Sequence, residues 1–196
     1  VFLGQLIEMT GMARAMVGFL ASLLGHVRGG LGYANVLSLT IFSGISGSAL
    51  ADAAGPGSMM VRMMDKAGYD RAYAAALTAS TAIVGPIIPP SIIMIIYALQ
   101  DEAVSVGALF VAGFVPGFLI AAGMAAVNWH VSNKRNYRGD DDITSWSDKL
   151  ETTWRALPAL MLPVLILGGM RAGWFTPTEA SVVAVFYALL VGMVVH

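Results

Sequence analysis

Residues 82–97 read AIVGPIIPPSIIMIIY, and Gly85, Pro86, Pro89 and Pro90 fall within one short interval of this otherwise apolar run. No continuous α-helix survives that spacing, because proline has no amide to donate and its ring clashes with the carbonyl four residues back. Yet the run sits inside 72–100, a stretch without one formal charge. That is longer than the ~20 residues an α-helix needs to span ~30 Å of hydrocarbon. The break leaves backbone carbonyls around Val84 to Pro89 without helical partners. In hydrocarbon each such group costs about 2–7 kcal/mol, so broken backbone is tolerated only where it is buried in protein or lines a site. Residues 65–101 are therefore expected to form a discontinuous membrane helix.

A second interruption lies upstream, in ANVLSLTIFSGISGSALADAA at 34–54. It starts like a spanning helix and then meets Ser43, Gly44, Ser46, Gly47 and Ser48, a density of serine and glycine that breaks helices. From Val36 to Ile45 the apolar run reaches only about 15 Å at 1.5 Å per residue, half a bilayer, so the chain is expected to turn near the midplane. Residues 29–64 thus read as a re-entrant hairpin. Its tip, beside a helix broken at Pro-Pro-Ser, offers free carbonyls and hydroxyls, which are hard oxygen ligands for a small cation. Half-helix N-termini there favour an anion. Asp52 is the one intramembrane carboxylate nearby. The same residues also read as proline–glycine kinks needed only for packing.

Composition agrees with a membrane setting. The chain has 196 residues, 57% apolar and 12% charged, against about 25% charged in ordinary soluble domains, and its mean hydropathy is +0.74. Net charge is −1 from 11 basic and 12 acidic residues, so there is no basic excess to bind nucleic acid. The absence of cysteine removes disulfides, thiolate metal sites and cysteine nucleophiles. The histidines, at 26, 130 and 196, are too scattered for a metal cluster. A membrane-embedded enzyme would need a convergent nucleophile and base or metal ligands, which the apolar spans do not supply. The chain opens on Val1 with no signal-peptide pattern, as expected of a fragment of a longer protein.

The expected fold is an all-α polytopic membrane protein. Residues 1–28 hold a first membrane helix, roughly Met12 to Gly25. Residues 102–130 form a further crossing, and 156–196 two more apolar helices. Segment 131–155 is the only long polar stretch and must lie outside the hydrocarbon, either as an interfacial helix with Trp129, Trp146 and Trp154 at headgroup depth or as a solvated loop. Arg62, Lys66 and Arg71 precede the crossing 72–100, and Lys134, Arg135 and Arg138 follow the next. Both clusters therefore fall on the cytoplasmic side, with Asp101 and Glu102 outside. A hairpin, rather than a full span, also keeps Arg28 on the cytoplasmic side. Gly113 and Gly117 form a small-xxx-small pattern for close helix packing.

The motifs resemble the large membrane subunit of tripartite ATP-independent periplasmic (TRAP) transporters, the DctM type. The resemblance is carried by GGLGYANVLSLTIFSGISGSALAD at 29–52, KAGYDRAYAAALTAST at 66–81 and IVGPIIPPSIIMIIYAL at 83–99. LFVAGFVPG at 109–117 and GGMRAGWFTPTEASVVAVFYAL at 168–189 continue it. It implies an elevator-type transporter fold with two inverted repeats, each holding a re-entrant hairpin and a broken helix, of which one is present here. It also implies sodium-coupled uptake of small organic anions such as C4-dicarboxylates or sialic acid in a bacterial inner membrane. The implied partners are a small TRAP membrane subunit and a periplasmic substrate-binding protein. Carried over by position, sodium and substrate binding fall on Ser46, Gly47, Ser48 and Asp52 of the tip and on Gly85, Pro89, Pro90 and Ser91 of the break. Oxygens of Ser46, Gly47, Ser48 and Pro89 are the implied sodium ligands. Arg62 stands where the family usually has proline. In FTPTEA, Thr176 or Thr178 is expected to cap a scaffold helix with Glu179 near its N-terminus. A channel or a non-transporting scaffold subunit could use the same tip and kink as a constriction.

Overall fold

Glycine and proline decide where the helices of this chain stop. A computed structural model describes residues 7, 9–100, 103–137 and 146–195, and all regular structure among them is helical. Helix α1 spans Met12–Leu24 and α2 spans Gly30–Ser46. A short α3 (Ala49–Asp52), a π-helix (Ala53–Gly57) and α4 (Ser58–Lys66) follow without a gap. Then come α5 (Arg71–Ala82), α6 (Ile92–Ala98), α7 (Val106–Arg135), α8 (Trp146–Arg171) and α9 (Pro177–Val195). Val106–Arg135 and Leu150–Met170 are each long and apolar enough to cross a membrane. Asp101, Glu102 and Arg138, used above to assign sides, lie outside the described residues.

The hairpin is α2 going in and α3 to α4 coming back. Its first arm starts at Gly30 rather than Val36, because Gly29 sits at φ 70°, a left-handed conformation that opens the helix there. The 17 residues of α2 therefore rise about 25 Å. Ser43 and Gly44 do not break it. The arm ends only at Gly47, φ 60°, whose N–H donates to Ser43 O at 3.1 Å. Ser48 is extended and restarts the helix, its Oγ accepting from Ala51 N at 3.4 Å. Pro56 has no amide for the carbonyl four residues back, and the ladder widens to a π-turn across 53–57. Past it α4 runs regularly through Arg62, which is exposed.

Within 72–100 the helix is interrupted at the prolines: α5 stops at Ala82, turns and bends occupy 83–90, and α6 begins at Ile92. Buried positions on α7 recur at Phe110, Gly113, Gly117, Ala121, Asn128 and Ser132, one stripe at helical spacing. Val111, Val115, Phe118 and Leu119 are exposed, as on a lipid-facing surface. The small-residue pair serves close packing, but against the broken segment rather than a regular helix. A Cβ at Gly113 would meet Ile87 O and Met94 Cε, and one at Gly117 would meet the Ile88 side chain. The described parts of 131–155 prolong α7 to Arg135 and begin α8 at Trp146, with Trp129 and Trp154 exposed. Helix α8 continues through Pro158 and Pro163. Of the two candidate caps for α9, Thr176 is seen in the role: Glu179 N donates to its Oγ1 at 3.3 Å and Thr176 N donates back to Glu179 Oε2 at 2.8 Å.

Helix α2 lies at the centre. Its Ala34, Phe42 and Ile45 join a core with Met16 and Val17 of α1 and Leu162 of α8, and Ala184 of α9 completes it. Val36 joins a second core with Met64, Leu77 and Ala121. At the base of the hairpin, Asn128 of α7 clamps α2. Its Nδ2 donates to Gly29 O at 3.0 Å, while Oδ1 accepts from Tyr73 Oη at 2.9 Å and Ser132 Oγ at 3.3 Å. A Cβ on Gly32 would overlap the Asn128 amide, so only glycine fits beneath it. Tyr137 stacks on Tyr69 with ring centroids 4.2 Å apart, and its carbonyl accepts from Gly29 N at 3.2 Å.

Candidate ion and substrate site

The two interruptions meet. A Cβ built on Gly47 would stand 2.5 Å from Pro90 O and 3.2 Å from Ile92 N, and one on Gly44 3.5 Å from Pro89 O. Conversely, a Cβ on Gly85 would stand 2.6 Å from Asp52 Oδ2, 2.9 Å from Ala49 N and 3.0 Å from Ser48 C. The tip's glycine faces the break and the break's glycine faces the tip. Each is a glycine because backbone approaches backbone.

Asp52 sits at this junction with 0% exposure. The Ser46 hydroxyl donates to its Oδ1, and Ser48 N in turn donates to Ser46 Oγ at 3.2 Å. Ser43 Oγ lies 3.0 Å from Asp52 Oδ2 and 2.7 Å from Leu39 O. One hydroxyl hydrogen serves only one of these acceptors at a time, so Oδ2 competes with a backbone carbonyl for its donor. No basic side chain forms an ion pair with Asp52 among the described residues.

Across from the carboxylate, the broken segment is held by few bonds of its own. Ile87 N and Ile88 N both donate to Val84 O at 2.9 Å. Ser91, fully buried, donates from Oγ to Pro86 O at 2.6 Å and accepts from Met94 N at 3.3 Å as the cap of α6. Its hydroxyl thus shapes the loop. The Pro89–Pro90 peptide bond is cis. The carbonyls of Gly85, Ile87, Pro89 and Pro90 accept no hydrogen bond among the described residues.

All eight residues singled out from the sequence therefore fall on two elements in mutual contact, with Ser46, Gly47, Ser48, Asp52 and Gly85 closest together and Ser91 turned into its own loop. Carbonyl and hydroxyl oxygens around one buried carboxylate are the donor set a hard monovalent cation takes, and the residues fit sodium in that chemical sense. No trio of His, Cys, Asp or Glu is placed to hold a metal among the described residues. Sequence reasoning passed over Ser43 as a site residue. It was visible in the pattern, since Ser43 and Ser46 share a helix face one turn apart.

The profile of the family described as Tripartite ATP-independent periplasmic transporter, DctM component, matches residues 1–196. The chain belongs to this family. It is 40% identical over 196 residues to the sialic acid TRAP transporter permease protein SiaT of Haemophilus influenzae, covering 98% of this chain and 31% of that protein. It is 39% identical to the sialic acid TRAP transporter large permease protein SiaM of Vibrio cholerae, covering 100% of this chain and 45% of that one. The 2,3-diketo-L-gulonate TRAP transporter large permease protein YiaN of Escherichia coli is 40% identical, with 100% and 46% covered. The chain thus spans between a third and a half of the length of these relatives. The relatives are named as TRAP transporter permease proteins, and the family assignment implies that this chain is part of an integral membrane protein.

Proposed function

We propose that this chain forms the hairpin and broken-helix half of a sodium-coupled secondary transporter that takes up small organic anions across a bacterial inner membrane. It would do so as part of the large permease of a TRAP system, with an elevator-type fold. The single observation that carries the proposal is Asp52: a fully buried carboxylate, bonded only to serine hydroxyls, against Gly85 of a broken segment whose carbonyls lack donors among the described residues. An intramembrane carboxylate without a basic partner marks an ion or proton site, and the oxygens gathered around this one favour a bound cation. Oxygens of Ser46, Gly47, Ser48 and Pro89 would hold sodium, with Asp52 supplying the compensating charge and Gly85 and Pro90 setting the close approach. Ser91 holds the loop that presents these carbonyls. Sodium would supply the coupling force by drawing tip and break together before the anion binds alongside.

The relatives named for sialic acid and 2,3-diketo-L-gulonate are permeases for carboxylate-bearing sugars, which supports an organic anion as the cargo here. A small membrane subunit and a periplasmic binding protein follow from the tripartite family as the partners. The test is uptake into proteoliposomes of the full permease, reconstituted with its small subunit and loaded binding protein, under an inward sodium gradient or with potassium in its place. Saturable uptake that needs sodium and the binding protein, and that is lost in Asp52→Asn and Ser46→Ala, is the expected result. Unsaturable flux indifferent to sodium would leave a channel as the correct account.

A further inference from the structure

Away from the tip, α2 carries two buried oxygens with no partner. Asn35 and Ser38, both 0% exposed, lie one turn apart on one face of α2, and neither Asn35 Oδ1 nor Ser38 Oγ has a hydrogen-bond partner among the described residues. The amide's other end is committed: Asn35 Nδ2 donates to Thr78 Oγ1 on α5 at 2.8 Å and lies 3.6 Å from Met64 Sδ on α4. Thr78 Oγ1 spends its own hydrogen on Ala74 O at 2.8 Å. Rotating the Asn35 amide would leave an N–H group unpaired in place of the oxygen, so the deficit belongs to the site. Ser38 is also the exception among its neighbours. Thr40, Ser43 and Thr81 each reach the carbonyl four residues back, at 2.7, 2.7 and 2.8 Å, and Ser38 does not.

We propose that Asn35 and Ser38 hold one buried water molecule between α2 and α5, a solvent site that joins the hairpin's first arm to the first half of the broken helix. A water needs two to four polar partners, and three are at hand: Asn35 Oδ1, Ser38 Oγ and the remaining lone pair of Thr78 Oγ1. All three are neutral, and a hard cation wants about six oxygens. Water can donate to the amide oxygen and either donate to or accept from the serine. The joint is independent of the proposed sodium site, because it lies well down α2 from Ser46 and shares none of its ligands.

The test is a high-resolution structure of the full permease, alone and as Ser38→Ala, with a double-mutant cycle in melting temperature over Ser38→Ala and Asn35→Ala. The expected result is a solvent peak about 2.6–3.2 Å from both oxygens, lost in Ser38→Ala. The double variant should lose no more melting temperature than the larger of the two singles, since both remove the same water. Additive losses with no peak would overturn the proposal. So would a peak that appears only with sodium, together with sodium-dependent melting lost in Ser38→Ala, which would make the site an ion site.

Discussion

Replacing Gly85 by alanine tests whether the hairpin tip and the broken helix are held in register by backbone contact. The added Cβ would stand 2.6 Å from Asp52 Oδ2, 2.9 Å from Ala49 N and 3.0 Å from Ser48 C. Ordinary carbon contacts begin near 3.5 Å, so the tip must retreat by about half an ångström or more. The Asp52 carboxylate is tied to two serines, and the other two atoms are backbone of the tip, so no flexible side chain can absorb the shift. Overpacking of this kind costs about 1–3 kcal/mol, which corresponds to between about 5-fold and about 150-fold in the population of the closed tip–break arrangement. Thermal unfolding of the full permease reads the stability loss, and half-saturating sodium in proteoliposome uptake reads the site. Gly123→Ala is the matched control: nothing lies within 4 Å of its added Cβ, and in the body of α7 the exchange favours the helix by up to about 1 kcal/mol. Equal melting temperatures and equal sodium dependence in the two variants would refute the account of the junction.

Gly47→Ala combines a left-handed φ of 60° with a Cβ 2.5 Å from Pro90 O; it should destabilise the permease by at least the ~1–2 kcal/mol of the conformation alone, read as a lower melting temperature. Asn128→Ala takes one of two donors from the Gly29 carbonyl, which keeps Tyr33 N at 3.1 Å, and leaves the Tyr73 and Ser132 hydroxyls without their acceptor, at about 1–3 kcal/mol for a buried group left unmatched, whereas Tyr73→Phe removes one hydroxyl; the melting temperature should fall further in the first. Burial pushes the Tyr69 phenol up to about 12, a backbone hydrogen bond with Leu31 opposing it and the nearby Tyr137 adding to it. The folded state then binds this proton more tightly than the unfolded state, so the stability it contributes is complete below pH 10 and is lost as pH rises from about 10 to about 12. Tyr69→Phe should flatten that part of the pH–melting curve, and an unchanged slope would show that Tyr69 does not titrate this way.

How much of this was legible follows from what each residue does. Proline and glycine act locally, through a missing amide or a missing Cβ, so the interruptions at 47–48 and 83–91 could be read from spacing alone. Their consequences at a distance could not. Ser43 and Gly44 looked like part of the first break, yet the surrounding helices bury both and α2 passes through them. Its early start at Gly30 depends on Gly29, whose carbonyl is held by Asn128 from 99 positions away, a pairing no local pattern encodes. Pro56 was silent in the sequence because a proline that widens one turn to a π-turn leaves the apolar pattern intact. The clamp of Asn128, Tyr73 and Tyr137 was missed because polar residues near a helix end read as ordinary headgroup-level side chains until the partner helix is in place.

Two broken elements in contact solve a problem that neither solves alone. At the tip the N–H groups of Gly47 and Ser48 and the Ser48 carbonyl find local partners, which leaves the Gly47 carbonyl without a donor among the described residues, and a helix broken at Pro89 and Pro90 exposes carbonyls that no amide can reach. Packing the breaks against each other excludes lipid from both, but it cannot pair carbonyl with carbonyl: Pro90 O faces Gly47 and Pro89 O faces Gly44. The surplus is of acceptors, and an ionised Asp52 adds another. Four serines supply only four hydroxyl hydrogens, of which Ser46's goes to Asp52, Ser43's is contested and Ser91's goes to Pro86 O, while Ser48 Oγ accepts from Ala51 N and keeps its hydrogen to give. A junction with more acceptors than donors would be satisfied by the cation proposed above. The same imbalance would make the junction separable without the proposed cation, since little else holds the carbonyls of 85–90 to the tip. On the proposed sodium site, ion occupancy and closure of the two breaks would be one equilibrium, and substitutions that tighten or loosen the junction without touching an oxygen, as at Gly85, would shift the sodium dependence along with the stability.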